Sequence, residues 1–374
     1  MLKYLNIMGK IVNSIIKIID KYILSLACIF LGLFVRKSLI KEPKNIIIIK
    51  LWAMGDSINT LPLIKKIKDR YPKTRIDVLA TKSNMSIYQG QDFINKVITL
   101  NPRILMNFKK YDLAIDFEPY LNISAVLSFL LARKRIGFNG KTRAMLYNAT
   151  GQFYKDKHIT VSYLSILKTF MNPNKRIELL KIKYHNNAKR KVEGLIKKLK
   201  IRKPIIGLCP SVGTEVKERE WQKFKYLADK ITQNKCSTIL IGTNSDRDKY
   251  DKIKSGNKNI YNMAGMLSIE ELSYLMEKMD VFVSNDTGPM HLAAAQGVPT
   301  IGLFGPNTPK IWAPLGRKCI SIFHPKPGCP FIDNTSHRLT PLILTEEQKT
   351  CMDTITVDEV YDAIMKLLKY EREY

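Results

Sequence analysis

Residues 281–305 read VFVSNDTGPMHLAAAQGVPTIGLFG, and this stretch decides the fold. It begins with an apolar run that predicts a buried strand, continues through a polar turn, and becomes an Ala-rich helix that Gly297 ends. Pro289 lies in the first turn of this helix, where proline is tolerated because its missing N–H would have no intrahelical partner. A second apolar run, Thr300–Phe304, predicts the next strand. Strand, turn, helix and strand in this order indicate a parallel sheet.

The polar turn of this stretch, Ser284–His291, has the composition of a phosphate site. Gly288 carries no side chain to block a ligand, and the N–H groups and positive dipole end of a helix favour an anion there. A structural alternative is that Asp286 or Thr287 caps the helix while His291 packs against the sheet. Capping alone does not account for so many polar groups at one strand end, so the turn is a candidate binding site.

A comparable turn follows the apolar run Ile46–Ile49, where residues 50–57 read KLWAMGDS and a helix is predicted at Asn59–Tyr71. The spacing alone favours Asp56 as the N-cap of that helix. The alternative is that the Asp56 carboxylate, at the same kind of sheet edge, is a general base.

Short β-rich runs alternate with helical segments from residue 44 onward, which is typical of parallel sheets covered on both faces. Strands are predicted at Ile46–Ile49, Ile76–Ala80, Val97–Leu100, Leu113–Phe117, Arg135–Phe138, Ile205–Leu208, Thr238–Ile241, Val281–Val283 and Thr300–Phe304. Helices are predicted at Asn59–Tyr71, Tyr120–Ala132, Asn187–Leu199, Phe224–Gln233, Ser268–Lys278 and Pro289–Gln296. The predicted fold class is therefore α/β, with two Rossmann-like domains built on parallel sheets.

The length of 374 residues is sufficient for two hydrophobic cores. We divide the chain into a membrane-associated helical segment (1–40), an N-terminal Rossmann-like domain (44–190), a C-terminal Rossmann-like domain (200–356) and a terminal helix (357–374).

Two capping boxes support helix starts, one formed by Ser268 with Glu271 and one by Thr356 with Glu359. Between Gly305 and the terminal helix the chain is rich in proline, and we expect ordered loop there rather than regular structure.

The net charge of +28 comes from lysines spread along the whole chain rather than from one run. One interpretation is a composition bias that keeps the protein soluble; the other is an acidic membrane surface or a polyanionic substrate. The chain has no zinc-finger spacing, RNP-like aromatic motif or basic recognition helix, and we therefore expect no nucleic acid partner.

The six cysteines show no C-x-x-C pairing and no dense framework, which favours a reducing compartment and a cytoplasmic protein. Cys329 and Cys351 flank a polar loop, and a pairing between them is one alternative. We expect a buried or unpaired thiol at each position instead.

The N-terminal segment contains an uncharged run of 14 residues, Tyr22–Val35. At ~1.5 Å per helical residue this run covers about 21 Å, less than the roughly 30 Å hydrocarbon core of a bilayer. The long segment before the run and the basic residues after it differ from a cleavable signal peptide. Lysines on both sides favour a helix lying at the interface of an anionic membrane, on the inner face of the cytoplasmic membrane. A short anchor and a helix packed on the protein remain alternatives.

Several segments together resemble the signature segments of glycosyltransferase family 9, the lipopolysaccharide heptosyltransferases and their relatives. They are KLWAMGDSINTLPL (50–63), YDLAIDFE (111–118), RIGF (135–138), IGLCPSVG (206–213), SNDTGPMHLAAAQGVPTIGLFGP (284–306) and CMDTITVDEV (351–360). The likeness extends in order from about Ile46 to Ile364, and the segment containing GPMH is the most specific.

The resemblance implies a GT-B fold, in which two Rossmann-like domains face each other with the site in the cleft. The N-terminal domain (44–190) would then lie on the acceptor side, and the C-terminal domain (200–356) would bind the nucleotide sugar. It also implies inverting transfer of a sugar from a nucleotide diphosphate, without a metal or another cofactor. ADP-heptose is the donor that the family suggests, and the acceptor would be a glycolipid or oligosaccharide of the lipopolysaccharide core, the O-antigen or a related envelope glycan.

The resemblance also assigns roles to individual residues. Asp56 matches the proposed catalytic base. The donor-binding residues would be Ser211, Thr214, Lys217, Asp286, Thr287, Gly288, Pro289, Met290 and His291. The match of Lys217 is imperfect, because the family pattern of Lys, a basic residue, Trp and Pro is replaced here by KEREWQ (217–222), and Arg219 is an alternative phosphate ligand.

Two other functions stay open at this point. One is a GT-B sugar-nucleotide epimerase, which needs no acceptor. The other is a catalytically silent, membrane-bound binding protein that keeps the fold, against which the retained Asp56, Asp286 and Gly288 argue.

Overall fold

The computed structural model describes residues 14–38, 42–213, 216–333 and 343–373. It contains two six-stranded sheets in which the neighbouring strands pair in parallel, so the predicted α/β class with two Rossmann-like sheets is confirmed.

The chain forms two compact units. The first unit holds the described residues up to Trp52, Pro62–Ile177, and Asp333 and Ile343. The second unit holds Ala53–Leu61, Glu178–Ile332 and the described residues from Leu344 onward.

The first sheet has the strand order β3-β2-β1-β4-β5-β6. Its strands are β1 (Asn45–Ile49), β2 (Arg75–Ala80), β3 (Lys96–Thr99), β4 (Tyr111–Asp116), β5 (Ala132–Phe138) and β6 (Ala149–Gly151). The helices of this part are α1 (14–32), α2 (Met54–Arg70), α3 (Met85–Tyr88), α4 (Asn122–Leu131) and α5 (Ile159–Leu167), with 3₁₀ turns at Pro102–Asn107 and Thr142–Leu146.

The second sheet has the order β12-β11-β10-β7-β8-β9. Its strands are β7 (Ile205–Cys209), β8 (Ser237–Leu240), β9 (Ile260–Asn262), β10 (Val281–Asn285), β11 (Thr300–Phe304) and β12 (Cys319–Phe323). The helices are α6 (Asn186–Leu199), α7 (Phe224–Gln233), α8 (Arg247–Lys254), α9 (Ile269–Met276), α10 (Gly288–Ala295), α11 (Pro309–Trp312), α12 (Glu346–Lys349) and α13 (Val357–Glu373), with 3₁₀ turns at Lys217–Arg219 and Asn244–Asp246.

Each sheet is buried because its central strands are apolar on both faces. Ile46–Ile49 in β1 and Val281–Val283 in β10 have no exposed surface. Burying each such side chain contributes about 1.5–3 kcal/mol relative to leaving it in water. The strand order reverses between β1 and β4 in the first sheet and between β7 and β10 in the second, and ligands of open α/β sheets bind at such reversal points.

The expectation of a loop without regular structure after Gly305 is wrong. β12 (Cys319–Phe323) lies in this segment and pairs in parallel with β11, and α11 and α12 lie in it as well. The strand sequence CISIF has an exposed Ser321, as an edge strand allows, and the nearby prolines suggest a loop instead. The edge strands β6 and β9, each three residues long, were also not predicted.

Cys329 and Cys351 form a disulfide with a Cα–Cα distance of 6.1 Å, so the expectation of unpaired thiols is wrong. The two residues meet because Lys326, three positions before Cys329, donates hydrogen bonds to Thr350, next to Cys351. Its ammonium reaches the Thr350 carbonyl at 3.2 Å and the hydroxyl at 2.6 Å.

Helix α1 contains a π-helical turn at Ile19–Ile23 and an α-helical part at Leu24–Gly32. Cys28 is fully buried and packs with Ala125 and Leu146 of the first unit, so one side of α1 rests on the protein. Within the parts of the chain that the structure describes, no helix combines the length and hydropathy required to cross a membrane.

Candidate active site

The turn between β10 and α10 leaves the N-terminus of α10 without a side-chain cap. Thr287 is the N-cap residue and has an extended backbone, with φ −144° and ψ 169°, but its side chain makes no capping hydrogen bond. The Thr287 hydroxyl instead lies 3.0 Å from Ser284 Oγ and 3.9 Å from Cys209 Sγ. Since proline follows Gly288, the N-terminal amides of α10 are a suitable place for an anion.

Asp286 does not cap α10 either, because its carboxylate is engaged elsewhere. Asp286 Oδ2 accepts hydrogen bonds from Arg219 at 3.0 Å and from Asn307 Nδ2 at 2.7 Å, and Arg219 also donates to the Asp286 carbonyl. Burial raises the pKa of Asp286, while the Arg219 charge and the Asn307 amide act in the opposite direction. The alternative that Asp286 or Thr287 caps the helix is therefore wrong.

Arg219, the alternative phosphate ligand, is held in place by this ion pair. Its side chain is 16% exposed. Its Nε is buried and has no hydrogen-bond partner among the residues that the structure describes. A partly buried guanidinium whose Nε–H is left over, beside an open helix N-terminus, fits recognition of an oxyanion.

Asn285 links the segments around this turn. Its amide donates to the Pro210 carbonyl at 2.7 Å, and its side-chain oxygen accepts from the Trp221 N–H at 3.1 Å. Trp221 is buried, and its indole N–H donates to the Ile355 carbonyl. Asn285 thus ties the turn after β7 and the 217–221 segment to the end of β10. The sequence alone does not indicate this role of Asn285, although the residue lies inside the motif SNDTG.

Ser211, another predicted donor-binding residue, lies just after the end of β7. The Ser211 N–H donates to the Tyr250 hydroxyl at 3.1 Å. The Lys249 ammonium lies 3.4 Å from the Ser211 hydroxyl and also forms an ion pair with Glu220. Lys217 is exposed in its 3₁₀ turn and forms no ion pair with another described residue. Thr214 lies outside the described residues.

Met290 and His291 point into the protein rather than to its surface. Met290 has no exposed surface and His291 is 3% exposed. His291 Nδ1 lies 3.3 Å from Asn59 Nδ2, so the buried His291 ring lies against the first turns of α2. A catalytic or binding role of His291 stays a prediction.

Residues 53–61 lie against the start of α10 within the second unit. A Cβ atom on Gly55 would lie 2.4 Å from His291 Cδ2, and one on Gly288 would lie 2.8 Å from Met54 Cβ. Both glycines are therefore required for this close approach. Asp56 follows Gly55 directly and is half-buried.

Asp56 lies in the first turn of α2, which begins at Met54. It is thus not the N-cap, and the capping interpretation is wrong. The helix starts five residues earlier than predicted, because Ala53 adopts the left-handed region at φ +66° and directs the chain into the first turn. A carboxylate in the first turn is favoured by the helix dipole.

Glu118 holds the turn that precedes Asp56. Glu118 Oε1 accepts from the Leu51 N–H at 2.6 Å and the Trp52 N–H at 2.8 Å, and Oε2 lies 3.2 Å from the Lys50 ammonium. Glu118 is 1% exposed and follows β4, the strand beside β1. A glutamate after a strand carries no sequence signal for this role, which depends on two segments 67 residues apart.

These features define an α/β protein whose sheets carry polar turns at their reversal points, and comparisons with known proteins specify its family. Residues 105–335 match the model of glycosyltransferase family 9 (heptosyltransferase), more than half of the chain. The chain belongs to glycosyltransferase family 9 and is a glycosyltransferase.

The chain is similar to lipooligosaccharide heptosyltransferase 2 of Haemophilus influenzae, at 27% identity over 305 residues, covering 74% of this chain and 88% of that protein. Its fold is similar to two solved structures. One is the glycosyl transferase family 9 structure from Veillonella parvula (TM-score 0.75, 17% identity, 89% of this chain and 100% of that chain). The other is E. coli ADP-heptose lps heptosyltransferase II (TM-score 0.69, 21% identity, 88% and 99%). The GT-B class is thereby confirmed.

Proposed function

We propose that this glycosyltransferase moves a heptose from ADP-heptose to the lipopolysaccharide core, the O-antigen or a related envelope glycan. The support is the family, together with relatives whose names specify lipooligosaccharide heptosyl transfer and ADP-heptose. The observation that carries the proposal is the uncapped N-terminus of α10 beside the Asp286–Arg219 ion pair, in a chain of this family.

The donor diphosphate would bind at the N-terminal amides of α10, from Gly288 onward. Arg219, oriented by Asp286, would contribute charge-assisted hydrogen bonds to the phosphate oxygens. Lys217 supplies a second cation close in sequence. The proposed donor-binding set is completed by Ser211 and Thr214 and by the α10 residues that follow Gly288, namely Pro289, Met290 and His291. Donors aimed at the leaving diphosphate lower the barrier, because negative charge develops there in the transition state.

Asp56 would act as the general base. It accepts the proton of the acceptor hydroxyl while that oxygen attacks the anomeric carbon. The bond between this carbon and the diphosphate oxygen breaks, and ADP leaves with the electron pair. Attack opposite to the leaving group inverts the anomeric configuration, and the mechanism uses neither a metal nor another cofactor.

We place the reaction in the cytoplasm, on the inner face of the cytoplasmic membrane. The acceptor proposed here is a glycolipid, and the described N-terminal segment has basic residues and exposed apolar side chains.

The test uses the purified full chain, ADP-heptose and lipooligosaccharide extracted from a heptose-deficient strain. We expect a mass increase of one heptose on the acceptor, unchanged activity in EDTA, and inverted anomeric configuration by NMR. UDP-glucose serves as the control donor. Transfer from UDP-glucose but not from ADP-heptose would contradict the donor assignment, and release of free sugar or its epimer without an acceptor requirement would contradict transfer itself.

A further inference from the structure

The outward side of the N-terminal helix is unusually apolar. Large hydrophobic side chains that are more than one third exposed occur along the whole helix and just after it, with Leu26 at 68%, Leu33 at 71% and Phe34 at 69%. We call this set the apolar face; it consists of Ile15, Ile16, Ile18, Ile19, Tyr22, Ile23, Leu26, Ile29, Phe30, Leu33 and Phe34. A contiguous apolar surface of this kind marks an interaction site.

The charges around the apolar face have one sign. Residues 14–38 contain four cationic side chains, Lys17, Lys21, Arg36 and Lys37, and a single acidic one, Asp20. Asp20 is 4% exposed and turned toward the protein. The accessible charge of the segment is therefore positive, which complements an anionic surface.

The orientation of the helix is fixed by Asp20. Its carboxylate accepts from the N–H of Asn122 at 3.0 Å and from the N–H of Ile123 at 2.7 Å, at the N-terminus of α4. In return, Asn122 Nδ2 donates to the Asp20 carbonyl at 2.7 Å. With Cys28 buried on the same side, the helix cannot turn its apolar face inward without breaking these contacts.

A second exposed apolar group lies along the same part of the first unit. Leu105, Met106 and Phe108 are all more than half exposed. The next residue, Lys109, has its ammonium 4.1 Å from the centre of the Phe129 ring, and Phe129 packs on the cluster that contains Cys28. The first unit thus exposes further apolar side chains outside the helix.

We infer that the apolar face is a docking surface for an anionic lipid bilayer, in which α1 lies along the interface without crossing it. The apolar side chains enter the boundary between head groups and acyl chains, while Lys17, Lys21 and Arg36 contact acidic head groups. The Lys37 ammonium instead donates to the Tyr147 carbonyl at 2.6 Å. The inference deepens the proposed placement at the membrane by assigning it to this surface, and vesicle binding can be tested whatever sugar the enzyme transfers.

The experiment is co-sedimentation of the full chain with vesicles of phosphatidylcholine alone or with 30% phosphatidylglycerol. We expect binding to the anionic vesicles that weakens at high salt, and at least tenfold weaker binding to the neutral ones. Phe30→Asp and Leu33→Asp should each lower the affinity about tenfold or more, since a buried apolar side chain contributes about 1.5–3 kcal/mol. Tyr226→Asp, at a 66% exposed position in the second unit, is the matched control and should bind like the wild type.

Circular dichroism melting of each variant shows that it is folded, and transfer to a short soluble acceptor should be unchanged in Phe30→Asp. Equal binding to both vesicle types, or full binding by Phe30→Asp and Leu33→Asp, would overturn the inference. So would a wild-type dimer in light scattering that Phe30→Asp separates, without vesicle binding, because the face would then bind a second copy.

Discussion

At the scale of single residues, Glu118 shows how a buried carboxylate stabilises a functional turn. It accepts hydrogen bonds from the backbone N–H groups of Leu51 and Trp52 and pairs with the ammonium of Lys50, which is fully buried. Breaking a buried ion pair by removing one partner costs about 3–5 kcal/mol. The turn that precedes Asp56, the proposed base, therefore depends on Glu118.

We predict that Glu118→Ala lowers the free energy of unfolding by about 3 kcal/mol or more, because it removes the carboxylate that pairs with Lys50. Glu118→Gln keeps an oxygen acceptor for the two amides and should lose less. Urea denaturation measures both. Glu346→Ala, which removes the exposed partner of Lys349, is the control and should change stability by less than about 1 kcal/mol. Equal stability of Glu118→Ala and the wild type would refute the prediction.

For Asp56 we predict a loss of turnover without a loss of donor binding. Asp56→Asn removes the proposed base, so kcat should fall about 10²–10⁴-fold. Calorimetric titration with ADP should give an unchanged Kd. Asp69→Asn, at an exposed position of the same helix, should retain wild-type activity. Turnover by Asp56→Asn at the wild-type rate would exclude Asp56 as the base.

Two glycine substitutions should act in opposite directions. A Cβ on Gly55 would lie 2.4 Å from the His291 ring, so Gly55→Ala should force a shift at the start of α2 and lower both stability and activity. A Cβ on Gly194, inside α6, would meet no heavy atom within 4 Å, so Gly194→Ala should stabilise by about 1 kcal/mol. Thermal unfolding measures the stability change of each variant. A Gly55→Ala variant more stable than the wild type would contradict the close packing.

At the scale of elements, the disulfide closes the segment that carries α12. Its two cysteines are 22 residues apart, and closing a loop of this length stabilises a protein by about 3 kcal/mol in the chain-entropy treatment. We predict that Cys351→Ser lowers the oxidised protein's free energy of unfolding by about that amount and has little effect under reducing conditions. Thiol titration of the unfolded, non-reduced wild type should find the four other cysteines, Cys28, Cys209, Cys236 and Cys319. Six reactive thiols would exclude the bond.

Long apolar strands and the capping box at Ser268 were predictable because their signal is local. Ser268 Oγ accepts from the Glu271 N–H and the Glu271 carboxylate accepts from the Ser268 N–H, as the sequence indicated. β12 was missed because Pro314 and Pro325 bound a five-residue strand too short to show a period. The start of α2 was missed because a non-glycine residue, Ala53, takes a positive φ.

At the scale of the whole molecule, the parts that the sequence could not reveal are contacts between distant segments. The motif SNDTG indicated an anion site, but the pairing of Asp286 with Arg219 joins residues 67 positions apart. The link from Glu118 to Leu51 spans 67 residues too. No local period or propensity records such pairs, and a single sequence therefore predicts the elements and the location of the candidate site but not its supporting hydrogen bonds.

We further predict that removal of residues 1–40 lowers the stability of the rest of the protein. Their removal would uncover Ala125 and Leu146 and take away the Asp20 carboxylate from the start of α4. Loss of such a cap alone costs about 0.5–2 kcal/mol. The truncated chain should therefore melt at a lower temperature as well as lose vesicle binding, and an unchanged Tm would contradict this.

The contact between Asp20 and α4 also has a consequence in time. The hydrogen bond between Asp20 and Asn122 cannot form until Asn122, 102 residues later in the chain, has been synthesised. At a synthesis rate of about 5–20 residues per second, this interval lasts about 5–20 s. During it the nascent apolar helix has left the ribosome but has no folded sheet to rest on. We therefore expect the protein-facing side of this helix to stay uncovered until the start of α4 has been synthesised.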